Sequence, residues 1–232
     1  MGKVITDVEQ HKEELQSYFN GIGYKRWAAI YGDTEVSSIR KTVRDGHAMM
    51  MDQAMAWLKT YNLPKDARIL DAGCGTGLFS IQMAKEGYNM VSMDIAKQMV
   101  EKGKEDAAKA GVADKIEFGV SDLESIEGTY DAIVCFDVLI HYPQKGFKAM
   151  CSKLAKMSKG PLIFTYAPYN SFLSFKMWIG EFFPRNDRRM NLQMMKQPFV
   201  EESLALGGKK MIKHEKIHHG FYHTALVESI PN

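Results

Sequence analysis

Cysteine is scarce in this chain. Only Cys74, Cys135 and Cys151 occur among 232 residues. The count is odd and no C-x-x-C spacing is present, so neither a disulfide framework nor a zinc cluster is expected. A reduced, cytosolic compartment is the simplest consequence. Long hydrophobic runs are lacking as well. None approaches the ~20 apolar residues that a membrane span needs. Residues Met1 to Asn20 are polar and charged and carry no signal core. They mix Lys with Glu, unlike a transit peptide. Nor does one sign of charge dominate: 30 Lys and Arg face 28 Asp and Glu, a formal net charge of +2. That argues against nucleic acid as a partner, since no basic stripe is present. Internal repeats and low-complexity tracts are absent. A P-loop would need Gly-Lys-Ser/Thr, and a dinucleotide fold G-x-G-x-x-G; neither spacing occurs.

What the chain does have is ordinary globular composition, 45% hydrophobic and 25% charged, and a clear division into regions. Residues 1–63 carry helical periodicity and almost no strand signal, and form an N-terminal helical arm or cap. Leu15, Tyr18, Phe19 and Ile22 fall at helical spacing before Gly21 and Gly23 interrupt. A short helix around Trp27, Ile30 and Tyr31 follows. A third, from about Val36 to Tyr61, has apolar faces from Met49, Met50, Met51, Met55 and Trp57. From residue 64 to 232 a second domain begins, and strands alternate with helices. Strands are predicted at Arg68–Ala72, Asn89–Asp94, Ile116–Val120, Tyr130–Phe136 and Pro161–Tyr166. Helices are predicted at Leu78–Glu86, Lys97–Ala110 and Phe147–Ser158. This order implies a parallel sheet with right-handed crossovers, an α/β fold. An aromatic and methionine-rich insertion, about 168–197, interrupts the alternation as a small cap. A short helix (Glu201–Leu206) and two strand-like runs (Lys210–His218 and Phe221–Glu228) close the chain.

The most informative run is Ile69-Leu70-Asp71-Ala72-Gly73-Cys74-Gly75-Thr76-Gly77. An apolar strand end is followed by an acid, then by glycines at alternate positions, then by a helix. Glycines let the backbone turn sharply and approach a ligand. The turn also points N–H groups at whatever binds. The G-x-G-x-G spacing resembles the first motif of the Rossmann-like class I methyltransferases and favours S-adenosylmethionine over a nicotinamide. Ligands in open α/β sheets bind at the carboxyl ends of the strands, and acids stand there. Asp94, with Ile95 behind it, ends the second strand. It suits a ribose carboxylate or, alternatively, a helix N-cap. Asp122 follows the third strand, where it would meet the adenine amino group, with Leu123 offering a backbone N–H; the alternative is a surface turn acid. Asp137 ends the fourth strand, beside the methionine part or the substrate. Asp71 either organises the loop or receives the donor's ammonium. A seven-stranded, mostly parallel sheet whose last strand is antiparallel follows from that methyltransferase pattern.

On the substrate side, Asp137-Val138-Leu139-Ile140-His141-Tyr142-Pro143 places a His and a Tyr just past the fourth strand. Gly23-Tyr24-Lys25-Arg26-Trp27 through Tyr31 and Asp33 is rich in aromatics. So is Ser171–Arg185, with Phe175, Trp178, Phe182 and Phe183. Together they suit the walls of a large, flat, apolar ligand. The alternatives are plain packing for the first segment, and for the second a cap helix lying on the sheet or a surface touching a membrane. The three histidines His214, His218 and His219 show no metal-ligand spacing.

Tyr24–Asp33, Arg40–Gly46, the glycine loop, Asp137–Pro143, Phe182–Arg188 and Gly220-Phe221-Tyr222 together resemble the magnesium-protoporphyrin IX O-methyltransferases of (bacterio)chlorophyll synthesis. The resemblance runs from about Tyr18 to Glu228 and is poor within 186–210. It implies that the acceptor is the C13 propionate of a magnesium porphyrin, with magnesium arriving inside the substrate and no protein-bound metal. It implies catalytic roles for Tyr31, on an arm covering the site, and for His141. It also implies partnership with the large subunit of magnesium chelatase and leaves open a peripheral place at the photosynthetic membrane.

A carboxylic acid has a pKa of about 4.3, so it is already a nucleophile at neutral pH. Positioning and exclusion of water then matter more than a strong base. His141 is expected to hold or locally deprotonate the carboxylate and Tyr31 to orient it. Arg26 or Arg185 suits the second propionate, while Trp27, Tyr142, Phe175 and Trp178 line the ring. Two rivals remain. One is an O-methyltransferase of a quinone or phenol, which would need His141 as a true base. The other is a tetrapyrrole-binding protein without turnover.

Overall fold

The computed structural model describes residues 8–24, 37–169 and 193–232. Helix α1 spans Val8–Tyr18 and runs into a wide π-type turn, Phe19–Gly23. Helix α2, Ser38–Lys59, starts where the Ser37 side chain accepts from the Arg40 N–H at 3.4 Å, a helix N-cap. Its buried face is Met50, Met51, Ala54, Trp57 and Leu58, a helical i, i+4, i+7 and i+8 pattern. Met49, expected on an apolar face, is instead 51% exposed.

Strands and helices then alternate: β1 Arg68–Ala72, α3 Leu78–Lys85, β2 Asn89–Asp94, α4 Lys97–Lys109, β3 Ile116–Val120, β4 Ala132–Cys135, α5 Gln144–Met157 and β5 Leu162–Pro168. A two-residue β6 (Met194–Met195) pairs with the end of β5, inside the region expected to be the inserted cap. Helix α6 (Gln197–Ala205) precedes the hairpin β7 (Lys209–His219) and β8 (Tyr222–Pro231). The sheet order is β3-β2-β1-β4-β5-β8-β7. β1 to β5 pair in parallel, and β8 runs antiparallel to both neighbours. The seven-stranded frame agrees with the expected class I methyltransferase fold.

The period of two sorts each strand between two cores. Leu70, Ile133, Cys135, Leu162 and Phe164 face α5 and α6, packing with Phe147, Leu154 and Leu204. Ile69, Ala132, Val134 and Ile163 face the other way, against Met50, Leu58, Phe79 and Met83. Strands buried on both faces read as unbroken apolar runs, which is why they were legible. Each fully buried Leu or Ile contributes roughly 1.5–3 kcal/mol. Helix α2, grouped by sequence with the arm, therefore shares its core with the sheet.

Several boundaries differ from expectation: β8 runs on to Pro231 and β5 to Pro168, and three others have a local reason. β4 ends at Cys135, one residue short of the predicted Phe136, where Asp137 takes a left-handed φ of 55° and turns the chain out of the sheet. It also starts two residues late, Tyr130 making only an isolated bridge to Ser158. Helices α5 and α6 start earlier than predicted, at Gln144 and Gln197. The first residues of α5, Gln144-Lys145-Gly146, are without an apolar period, and α6 opens on Gln197-Pro198 ahead of Phe199 and Val200, which pack with the core. Pro198 sits in the first turn of α6, where its missing N–H costs nothing. β1 and β4 lie side by side while the chain crosses over in opposite senses, which opens a crevice at their carboxyl ends.

Candidate active site

That crevice is a cavity of about 1060 Å³ including its mouth, lined from both sides by the predicted loop and acids. Its floor is the glycine loop. The N–H groups of Gly73 and Cys74 both donate to the Met93 carbonyl, at 2.7 and 3.0 Å, tying the loop to β2. Gly73, Gly75 and Gly77 all have positive φ, at 81°, 55° and 72°. A Cβ on Gly73 would lie 2.2 Å from Val138, and one on Gly77 would lie 2.8 Å from the Phe118 ring. A Cβ on Gly75 would meet nothing within 4 Å. The first and third glycines are thus needed for packing. The middle one presents bare backbone to the cavity.

Asp94 grips this loop. Its Oδ2 accepts from the Gly75 N–H and its Oδ1 from the Ala96 N–H, both at 2.8 Å. A carboxylate has about four acceptor positions, so two remain for a ligand. Burial raises the Asp94 pKa and these two backbone bonds oppose the rise. Ile95 lines the wall beside it. Asp122 also lines the cavity, and its Oδ1 accepts from the Ser125 N–H at 2.7 Å, so it shapes its own turn. Leu123 is buried at the same wall.

Asp71 is 2% exposed. Ser80 donates to its Oδ2 at 2.6 Å, and Ser92 donates to Ser80 at 2.7 Å. Burial pushes its pKa up to about 7, the Ser80 bond pulls down, and the nearby Asp94 pushes up. Asp137 lines the far side. The Tyr222 hydroxyl donates to its Oδ2 at 2.9 Å, and the Thr165 hydroxyl donates to its Oδ1 at 3.0 Å.

His141 ends a single 3-10 turn, Leu139–His141, and is 9% exposed. Its ring stands edge-on to Phe19, 5.4 Å between centroids. Tyr142 lines the cavity too, and its hydroxyl donates to Glu124 Oε2 at 3.3 Å. Burial pushes its phenol well above the ordinary range. Arg26, Trp27, Tyr31, Phe175, Trp178 and Arg185 lie outside the described residues.

Sequence reasoning missed several groups that the fold brings here. His47 on α2 lines the cavity with Met51, one turn further along. Its Nε2 is 3.8 Å from Asp137 Oδ2, and burial lowers its pKa while Asp137 opposes the drop. Leu15 and Phe19 arrive from α1 and its turn. The i, i+4 spacing of His47 with Met51, on a helix already read as amphipathic, was the available signal. Among the described residues no group of three His, Cys, Asp or Glu could hold a metal ion.

A donor with an adenosine and a charged methionine end fits these residues: bare backbone at Gly75, acids at four strand ends, and apolar walls from Phe79, Met99 and Phe136. Fold and site together define a class I S-adenosylmethionine-dependent methyltransferase. A general methyltransferase-domain model matches residues 69–160. The model for the magnesium-protoporphyrin IX methyltransferase C-terminus matches residues 135–231. The chloroplastic magnesium protoporphyrin IX methyltransferase of Arabidopsis thaliana is 36% identical, over 95% of this chain and 71% of that protein. The magnesium-protoporphyrin O-methyltransferase of Synechocystis sp. is 33% identical, over 94% of this chain and 96% of its own length. A crystal structure of the Synechocystis enzyme with bound SAH superposes with a TM-score of 0.87 at 31% identity, over 95% of this chain and all of that one. The chain belongs to the magnesium-protoporphyrin IX methyltransferase family.

Proposed function

We propose that this protein transfers the methyl group of S-adenosylmethionine to the C13 propionate carboxylate of magnesium protoporphyrin IX in (bacterio)chlorophyll biosynthesis. The products are the monomethyl ester and S-adenosylhomocysteine. One observation carries the proposal: His141 and Phe19 stand in the same cavity as the glycine loop and Asp94, in a chain of this family. The donor supplies an electrophilic methyl: a carboxylate lone pair forms the O–CH3 bond while the S–CH3 pair returns to sulfur.

The residues of this chain do the placing. Asp94 takes the ribose hydroxyls on its two remaining acceptor positions. Asp122 and Leu123 meet the adenine, and Ile95 packs beside it. Gly73, Gly75 and Gly77 allow the close approach. Asp71 and Asp137 face the cationic methionine end. His141 holds the acceptor carboxylate or takes its last proton, and Tyr31 orients it. Trp27, Tyr142, Phe175 and Trp178 serve the porphyrin ring, and Arg26 or Arg185 the second propionate. Alignment of this kind is worth roughly 7–11 kcal/mol of barrier. Anion and cation neutralise each other as the bond forms, so apolar walls that exclude water favour the step.

A cytoplasmic or membrane-peripheral place and partnership with the magnesium chelatase large subunit belong to the same proposal. Among the described residues, no helix is long and apolar enough to cross a membrane. The test is incubation with S-adenosylmethionine and magnesium protoporphyrin, followed by mass spectrometry. A monomethyl ester is the expected product. Donor binding without ester, or faster methylation of a phenol, would reject the acceptor.

A further inference from the structure

Asp137 is a non-glycine residue with φ of 55°, a left-handed conformation that L-residues disfavour and that persists only where surroundings enforce it. Hydrogen bonds from two elements hold it here, and a third element stands close by. From β5, the Thr165 hydroxyl accepts from the Asp137 N–H at 2.6 Å and donates back to Oδ1 at 3.0 Å. From β8, the Tyr222 hydroxyl donates to Oδ2 at 2.9 Å. From α2, His47 Nε2 stands 3.8 Å from that same oxygen, and its ring lies edge-on to Tyr222 at 6.1 Å.

Tyr222 is itself seated on bare backbone: a Cβ at Gly46 of α2 would lie 2.7 Å from the Tyr222 Cβ. The next turn of the hairpin is held the same way. A Cβ at Gly220 would lie 2.5 Å from Thr42, and the Phe221 N–H donates to Thr42 Oγ1 at 3.2 Å. A purely structural acid has no need to face the cavity, yet Asp137 lines it. Its two side-chain bonds leave about two acceptor positions open toward that space.

We propose that Thr165 and Tyr222 are positioning residues for the methyl donor. They hold the strained Asp137 so that its remaining acceptor positions meet the donor's methionine end, and Gly46 lets α2 seat Tyr222 for that task. This rests on Asp137 being a donor-binding acid, as proposed above.

Calorimetric titration with S-adenosylhomocysteine tests it on the whole protein, alongside thermal unfolding and separate KM values for donor and porphyrin. Tyr222→Phe and Thr165→Val should each weaken donor affinity about tenfold, the loss expected for one hydrogen bond to a charged group. The porphyrin KM should stay within about twofold. Thr165→Ser keeps the hydroxyl and should restore affinity to within about threefold, which a role in packing alone would not do. If Asp137→Asn weakens binding while Tyr222→Phe and Thr165→Val bind as wild type, the positioning role is overturned and the role of Asp137 stands. If Asp137→Asn binds as wild type, both fall. Should Tyr222→Phe fail to fold, the Thr165→Val and Thr165→Ser pair decides alone.

Discussion

The donor wall of the cavity comes from one continuous stretch, Asp71 to Leu123, carried on β1, β2 and β3. The wall facing it draws on α1, α2, the turn after β4, and, through Tyr222, the terminal hairpin. The first wall works through backbone: Gly75 N–H on Asp94, and Gly73 and Cys74 N–H on Met93. The second works through side chains that touch across the fold, His141 with Phe19 and Asp137 with Thr165 and Tyr222. A backbone wall is set by local turn chemistry and tolerates little change. In a side-chain wall each residue takes its own task. Asp137, with Thr165 and Tyr222, serves the donor's methionine end in the proposal above, while residues such as His141 can be re-specified, which is how one fold serves many acceptors.

The sharpest way to break the contrast is Gly73→Ala. The new methyl would lie 2.2 Å from Val138 at a φ of 81°, so donor affinity should fall roughly a hundredfold or more. Near-normal S-adenosylhomocysteine titration of that variant would show that the loop is not rigid. His141→Ala should act on the other wall only. Turnover should drop about a hundredfold, within the span of lost acid–base or positioning help, with donor affinity within about threefold. A large loss of donor binding instead would move His141 to the donor wall. Asp94→Ala should do the reverse. Donor affinity should fall about thirtyfold, near 2 kcal/mol for lost bonds to a charged group, while turnover at saturating donor changes little.

The smallest expected effect is a pH slope from Asp71. Its pKa is raised to about 7, first by burial. The folded apo protein therefore keeps a proton that the unfolded chain releases near 3.8. Stability from that proton is full below about pH 4 and is lost as pH rises through 7. A cationic donor favours the ionised form, so its affinity should rise several-fold between pH 6 and 8. Asp71→Asn should flatten both the affinity curve and the apo melting curve. An unchanged pH slope in that variant would assign it to another group.

Strands β1, β2 and β3 match their predicted limits because each is bounded by turn residues. The cores of β1 and β2 are buried apolar runs, while edge strand β3 buries Ile116 and leaves Glu117 and Val120 exposed. β4 was overextended because nothing local announces that Asp137 will adopt a left-handed backbone; Thr165 and Tyr222, 28 and 85 residues away, hold it there. Helix α5 starts three residues before the predicted Phe147 because Gln144-Lys145-Gly146 carries no apolar period. In α6 the proline at 198 hid a start whose next residues, Phe199 and Val200, already pack with the core. Among the site residues, Asp71, Asp94 and Asp122 were legible as strand-end acids. His47 was not, since a histidine on an amphipathic helix looks like any other core-facing polar residue until its neighbour across the fold is known.

Local chemistry along the chain thus settled the sheet, the donor loop and the acids at its strand ends, because glycine spacing and apolar period act over a few residues. Whether those acids would also be bonded to each other's loops, which histidine would stand beside Asp137, and which face of α2 would close the cavity depended on contacts between distant segments. Such contacts are fixed only when the two cores pack, since burial rewards the whole arrangement of side chains and no short segment encodes it.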